Sequence, residues 1–241
     1  MSSRPLRVTA LELPARWNEP ARAWDDVRAL LAKGPATDLV LLPEASLTGY
    51  VDPELACDLR PFAEPLAGPT TTAFAAVARA HRTHVVGPLV LGEGDRTYNA
   101  LVAVSPAGEI VATYRKRHPW YVETWATPGT APLATFQVKG HMVALAICFD
   151  VHFLEEESAA ELQAADVLLF ASAWVEREDS RPSMLRALAR TFDVAIVNAN
   201  WGPGVPRMWG QGGSRIVSSE GEALALAEGE GPLRVDADLA L

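Results

Sequence analysis

Met142-Val143-Ala144-Leu145-Ala146-Ile147-Cys148-Phe149-Asp150 is an apolar run that ends on a thiol, an aromatic ring and a carboxylate. Six apolar residues without polar alternation fit a strand buried on both faces, as in a sheet covered by helices. A helix is expected next at Glu155–Ala164, then an apolar strand at Asp166–Ala171. The same alternation recurs along the chain. Arg7–Leu13 reads as a strand and Pro20–Ala32 as a helix with Trp24, Val27, Leu30 and Leu31 on one face. Asp38–Leu42 is a short buried strand cut off by Pro43, directly before Glu44. Thr70–His81 reads as a helix capped by its threonines, followed by a strand at His84–Leu91. Pro182–Thr191 is a helix and Val194–Asn198 a strand.

Three hairpins interrupt this order. Ser105–Glu109 joins Tyr98–Val104 to Ile110–Tyr114, and Lys139-Gly140 joins Ala134–Val138 to Met142–Ile147. Ser219–Glu222 joins Ser214–Val217 to Ala223–Ala227. Alternating strands and helices with added hairpins predict an α/β protein with mixed sheets. No repeat, low-complexity tract or Gly/Ser linker marks a boundary, so residues 1–241 are expected to form a single domain.

Composition narrows the function classes. Hydrophobic residues make up 49% and charged residues 21% of the chain, which places it among ordinary globular proteins. With 21 basic and 30 acidic residues the formal charge is -9, a balance that disfavours nucleic acid and anionic membranes as partners. The N-terminus lacks the apolar core of a signal peptide, and no stretch is long and apolar enough to span a bilayer. Cys57 and Cys148 form no Cys-x-x-Cys pair, and a cytoplasmic protein with reduced thiols is the expectation.

Three side chains at strand ends carry chemistry: Glu44, Lys116 and Cys148. A free cysteine is ordinarily a small buried hydrophobe, and Cys57 is read that way. Cys148 differs in its setting, because a strand-to-helix elbow holds a side chain rigidly toward a cleft and turns backbone N–H groups, such as that of Phe149, toward an oxyanion. Lys116 sits in the basic run Arg115–His118, which by itself would be a solvated face, but the run leads into the aromatics Trp120 and Tyr121. Carboxylate, ammonium and thiol together suit attack on a carbon–nitrogen bond through a covalent intermediate. Asp150 is read as a structural cap of the elbow. Trp120, Trp174 and Trp201 are candidates for the wall of an acyl pocket, and His152, four residues past the thiol, for a substrate contact.

With these residues in place the chain resembles the nitrilase superfamily of carbon–nitrogen hydrolases nearly end to end. Leu42-Pro43-Glu44 with Leu47–Tyr50 is similar to the family's glutamate motif, Tyr114-Arg115-Lys116 with His118 to its lysine motif, and Ile147–Asp150 to its cysteine motif. Glu123, ahead of Pro128-Gly129, falls where the family keeps a second glutamate beside the lysine. Ser172–Trp174, Asn198–Asn200 and Gly212–Arg215 are similar to later landmarks. Leu154 stands where the family often has proline, and little chain follows Asp238 to supply the tail that often crosses the family's dimer.

The resemblance implies a four-layer α-β-β-α sandwich with two mixed β-sheets, and a homodimer. It also implies a cofactor-free and metal-free enzyme that cleaves a small linear amide, with Cys148 as nucleophile, Glu44 as proton carrier, Lys116 as oxyanion donor and Glu123 holding the lysine. Cys148-Phe149-Asp150 looks like the amidase and carbamoyl-hydrolase branches. An N-carbamoyl amidohydrolase and a nitrilase therefore stay open on the same fold, as does a non-catalytic interaction protein. No His-Glu-x-x-His, Gly-x-Ser-x-Gly or dinucleotide fingerprint supports another hydrolase or a nucleotide enzyme.

Overall fold

A computed structural model describes residues 5–241; Met1–Arg4, the start of the stretch read for a signal peptide, lie outside the described residues. The strands and helices follow the apolar grammar closely. β1 (Leu6–Glu12), α1 (Pro20–Lys33), β2 (Leu39–Leu41), α2 (Pro69–His81), β3 (His84–Glu93), β4 (Arg96–Val104) and β5 (Ile110–Arg115) make the first half. β6 (Thr135–Val138), β7 (His141–Ile147), the short helices α3 (Leu154–Glu157) and α4 (Ala159–Gln163), β8 (Val167–Ser172), α5 (Arg181–Phe192) and β9 (Ala195–Asn200) make the second. β10 (Arg215–Val217), β11 (Ala223–Leu226) and β12 (Leu233–Leu239) close the chain.

Two six-stranded sheets result, ordered β12-β1-β2-β3-β4-β5 and β11-β10-β9-β8-β7-β6. In each, three central strands run parallel, β1-β2-β3 and β7-β8-β9, and the flanking strands are antiparallel. Both sheets are therefore mixed. Period-two alternation explains the layering. Leu101 and Ala103 of β4 join Leu145, Ile147, Leu168 and Phe170 in the core between the sheets. Ala100, Val102 and Val104 of the same strand face Trp24, Val27, Phe74 and Ala78 of α1 and α2. Leu185, Leu188 and Phe192 of α5 cover the second sheet. The order of layers is helix, sheet, sheet, helix. Among the described residues, no helix is long and apolar enough to cross a membrane.

Two local expectations need correction, and one strand adds to the sequence reading. The helix expected over Glu155–Ala164 is two short helices that meet at Ser158, where φ is -138°. Ser158 is buried, and its hydroxyl accepts a bond from Arg117 at 3.1 Å, so a tertiary contact replaces helical continuity there. The threonines of α2 do not cap it: Gly68 holds the cap position, Pro69 opens the helix, and the Glu64 carboxylate accepts the N–H of Thr70 at 3.1 Å. The strand β12 is absent from the sequence reading, although Leu233, Val235, Ala237 and Leu239 alternate with polar residues as an edge strand should.

Candidate active site

Glu44, Lys116, Glu123 and Cys148 converge beyond strand ends, as sites in α/β sheets do. Pro43 has no N–H to continue the ladder after β2, and the chain turns at Glu44. Lys116 follows β5, with its N–H donated to the Asn99 carbonyl at 2.8 Å and its carbonyl accepting from Gly129 at 2.8 Å. A Cβ on Gly129 would lie 2.3 Å from the Arg115 carbonyl oxygen, so glycine is required for that close approach. Cys148 follows β7 with φ of 43°, a left-handed conformation that is unusual for a side chain bearing a Cβ and that turns the thiol out of the strand direction.

Asp150 ties the elbow to the lysine segment. Its carboxylate accepts from the N–H groups of Ile147, Arg117 and His118 at 3.2, 3.1 and 2.9 Å, and from the Tyr114 hydroxyl at 2.9 Å. The structural role expected of it is what these four bonds perform.

Lys116 Nζ lies 2.7 Å from Glu44 Oε1 and 2.8 Å from Glu123 Oε2, and all three side chains are wholly shielded from solvent. Asn99 Nδ2 donates to Glu44 Oε1 and to Glu123 Oε1, both at 2.8 Å. Ala173 N–H donates to Glu44 Oε2 at 2.8 Å, and Trp120 N–H to Glu123 Oε2 at 2.6 Å. Two carboxylates and one ammonium leave this buried group net negative. Burial disfavours the lysine's charge, but Glu44 and then Glu123 outweigh it and hold Lys116 well above its ordinary value. Burial likewise pushes Glu123 up against the pull of Lys116.

The thiol sits in the same field. Burial first, and the charge of Glu44 second, push Cys148 well above the ordinary thiol range, with Lys116 opposing. The resting side chain is therefore a thiol, and a base must take its proton as it attacks. Ultraviolet thiolate absorbance, taken as wild type minus Cys148→Ala, is expected to stay flat between about pH 6 and pH 9. A rise centred near or below the ordinary cysteine value would show that a stable thiolate–lysine pair forms instead. Cys57 does not interfere, since burial pushes it up to about 12.

Cys148 opens into a cavity of about 250 Å³ lined by Trp120, Phe149, His152 and Trp174, together with Tyr121, Ala173, Val175 and Glu176. Of the residues expected around the substrate, Trp120, Phe149, His152 and Trp174 line this cavity. Trp201 does not: its indole N–H donates to the Trp174 carbonyl at 2.9 Å, and its ring packs edge-on against Tyr50 behind the wall. His118 also lies elsewhere, stacked on Phe153 with 3.8 Å between ring centres. A larger cavity of about 860 Å³ opens among Arg7, Asp38, Lys139 and Arg234, holds none of the candidate residues, and has these cations paired with Asp238, Asp38 and Asp236.

Sequence reading missed Asn99, the bridge between the two glutamates. One signal was present, a carboxamide inside the apolar strand Tyr98–Val104, where an unpaired buried amide would be costly. The N–H of Ala173 carried no signal, because every residue other than proline has one.

Comparisons with known proteins show the family and the fold. A family model described as carbon-nitrogen hydrolase matches residues 7–240. A nitrilase from Pyrococcus abyssi is 30% identical over 187 residues, covering 76% of this chain and 71% of that protein. A formamidase from Pseudomonas syringae pv. tomato is 30% identical over 163 residues, 64% of this chain, and the match spans only 45% of that protein's length. Among solved structures, a cysteine-to-alanine mutant of an amidase from Nesterenkonia sp. AN1 in complex with butyramide is similar in fold, with a TM-score of 0.82 at 23% identity over 98% of this chain and 92% of that one.

Proposed function

The chain belongs to the carbon-nitrogen hydrolase family, within the nitrilase superfamily, and from that premise we propose that it hydrolyses a small linear amide to a carboxylic acid and ammonia through a thioester on Cys148. The observation that carries this reading is the buried Glu44–Lys116–Glu123 group beside the Cys148 side chain, which opens into a small aromatic cavity.

Each oxygen of Glu44 has two acceptor positions. Among the described residues, Oε1 accepts from Lys116 and Asn99, whereas Oε2 accepts from Ala173 alone and keeps one position for the thiol proton. As that proton moves to Glu44, Sγ bonds to the amide carbon and the carbonyl electrons move onto oxygen. The ammonium of Lys116 has three N–H donors, two of them on carboxylates. The third, with the N–H of Phe149, meets the oxyanion, and a donor of this kind contributes about 10²–10³ in rate. Collapse breaks the C–N bond, and Glu44 returns its proton to the leaving nitrogen. Water then adds to the thioester, giving its proton to Glu44, and the second collapse expels the acid and restores the thiol. General base catalysis at this position is worth about 10²–10⁴. Glu123 holds Lys116 charged and aimed throughout.

A cavity of about 250 Å³ lies below the usual range for drug-sized ligands, which supports a short acyl group. The test is ammonia release from short amides, carbamoyl amines and nitriles, with mass spectrometry of the quenched enzyme. Release from a short amide is expected, with the acyl mass on the peptide that contains Cys148. Ammonia without an acyl adduct on Cys148 would overturn the thioester route, and a folded enzyme silent on every substrate would favour a non-catalytic role.

A further inference from the structure

The cavity has one polar wall that the reaction above does not use. Glu176 lines it beside His152 and the rings of Trp120, Phe149 and Trp174. Trp174 Nε1, Ser180 N and Ser180 Oγ donate to Glu176 at 3.0, 2.8 and 2.7 Å, all to Oε2. Oε1 accepts from none of the described side chains or backbone groups in these contacts and is left for a ligand. The bonds from Ser180 hold the carboxyl below its ordinary value, so it is ionised at neutral pH. His152, stacked on Trp174 with 5.8 Å between ring centres, is pushed below its ordinary value by burial and is neutral there.

Among the described residues no lysine or arginine lines the cavity, and Lys116 beneath it is already outnumbered by Glu44 and Glu123. Arg177, next in sequence, is turned away over the ring of Trp209, 5.6 Å from its centre. A substrate reaching the thiol thus meets aromatic faces, a fixed carboxylate and no compensating cation. Aromatic faces and a carboxylate both attract an ammonium group, and both repel or fail to pair a carboxylate.

We propose that Glu176 is a specificity residue and that the preferred substrate is a primary amide whose acyl chain carries an ammonium group. This rests on the amidase reading of the same site. Glu176 Oε1 pairs with the ammonium while the tryptophan rings flank its methylene chain, and the amide end reaches Cys148. The corollary is rejection of acyl chains that end in a carboxylate.

The experiment compares kcat/KM for γ-aminobutyramide, pentanamide (its neutral isostere) and glutaramate (its anionic counterpart). In the wild type the ammonium substrate is expected to exceed the isostere about tenfold, with glutaramate lowest, from one partly exposed ion pair plus cation–π contact. In Glu176→Gln the ratio of ammonium to neutral substrate is expected to fall to about twofold or less. The ratio is read within one protein, so a general loss of activity cancels. The same ratio should shrink in wild type as salt is raised, which a purely steric preference would not do. A wild-type ratio near one, or a ratio unchanged by both salt and Glu176→Gln, overturns the proposal while leaving the amidase reading intact. If no amide is turned over, that reading fails instead, and calorimetry of γ-aminobutyramide against pentanamide on Cys148→Ala decides the ammonium preference alone.

Discussion

Cys148→Ala is expected to reduce ammonia release to background while leaving the melting temperature nearly unchanged. The two outcomes have separate causes. Chemistry through a thioester has no second nucleophile to draw on. Cys57 lies outside the cavity, donates its thiol to the Tyr50 carbonyl at 3.3 Å, and stays protonated because burial pushes it up to about 12. Oxyanion donors alone leave a residual rate, but without attack there is no covalent intermediate to hydrolyse. The fold loses only one buried sulfur atom, a cavity worth about 1 kcal/mol. Alanine inherits the left-handed backbone at 148 with the same Cβ, so strain at the elbow is not altered. Parallel ammonia assays and thermal melts check both halves. Activity retained above a few per cent of wild type would place the nucleophile elsewhere.

Lys116→Ala is expected to remove activity and stability together. Lys116 is the cation of a fully shielded group, 2.7 Å from Glu44 and 2.8 Å from Glu123. Removing one partner of a buried ion pair leaves an uncompensated charge and costs about 3–5 kcal/mol. Here two carboxylates are left facing one Asn99 amide. The sign of the pH dependence follows. Burial already raises Glu123 against the pull of Lys116, so without the cation Glu123 binds its proton more tightly in the folded chain than in the unfolded chain. The deficit is therefore smallest below the ordinary glutamate value of about 4.3 and grows as pH rises above it. Denaturant melts of wild type and variant should lie closer together at about pH 5 than at about pH 8. Activity should fall at least about 10²-fold, the contribution of one oxyanion donor. Adding Glu123→Gln to Lys116→Ala should recover part of the stability and none of the activity, a separation that a double-mutant cycle reads directly. A deficit that is the same at both pH values would mean that this lysine does not hold Glu123 ionised.

Much of this arrangement was legible because it is local. An apolar run and a reactive side chain stand next to one another at Leu39–Glu44, where Pro43 breaks the strand, and at Met142–Cys148, and Lys116 directly follows the strand Ile110–Arg115. Strand ends are where an α/β sheet presents side chains to a cleft, so each candidate could be placed before its partners were known. Hairpins were equally local: Lys139 and Gly140 both adopt positive φ, at 52° and 91°, as a two-residue turn between twisted strands requires. The break at Ser158 could not be read in this way. Nothing in Glu155–Ala164 forbids a continuous helix, and its interruption depends on Arg117, which packs there from 41 residues earlier.

By itself the sequence determined an α/β protein with mixed sheets, the strand ends that bear Glu44, Lys116 and Cys148, and a family resemblance that implied the layers of the fold. Tertiary structure alone decided how those groups are charged and what faces them. Glu44 and Lys116 are 72 residues apart, and Glu44 and the N–H of Ala173 are 129 apart, yet each pair meets at hydrogen-bond distance. Asn99 becomes the bridge between two glutamates, and Trp201 retreats behind the wall that Trp174 presents. Periodicity records which face of an element is buried, since that depends on neighbours within a few residues. Protonation and pairing depend on the dielectric and on charges within a few ångströms, whatever their separation along the chain. A thiol raised by burial, a lysine kept charged by two acids and a carboxylate aimed into an aromatic cavity exist only once the two sheets have come together.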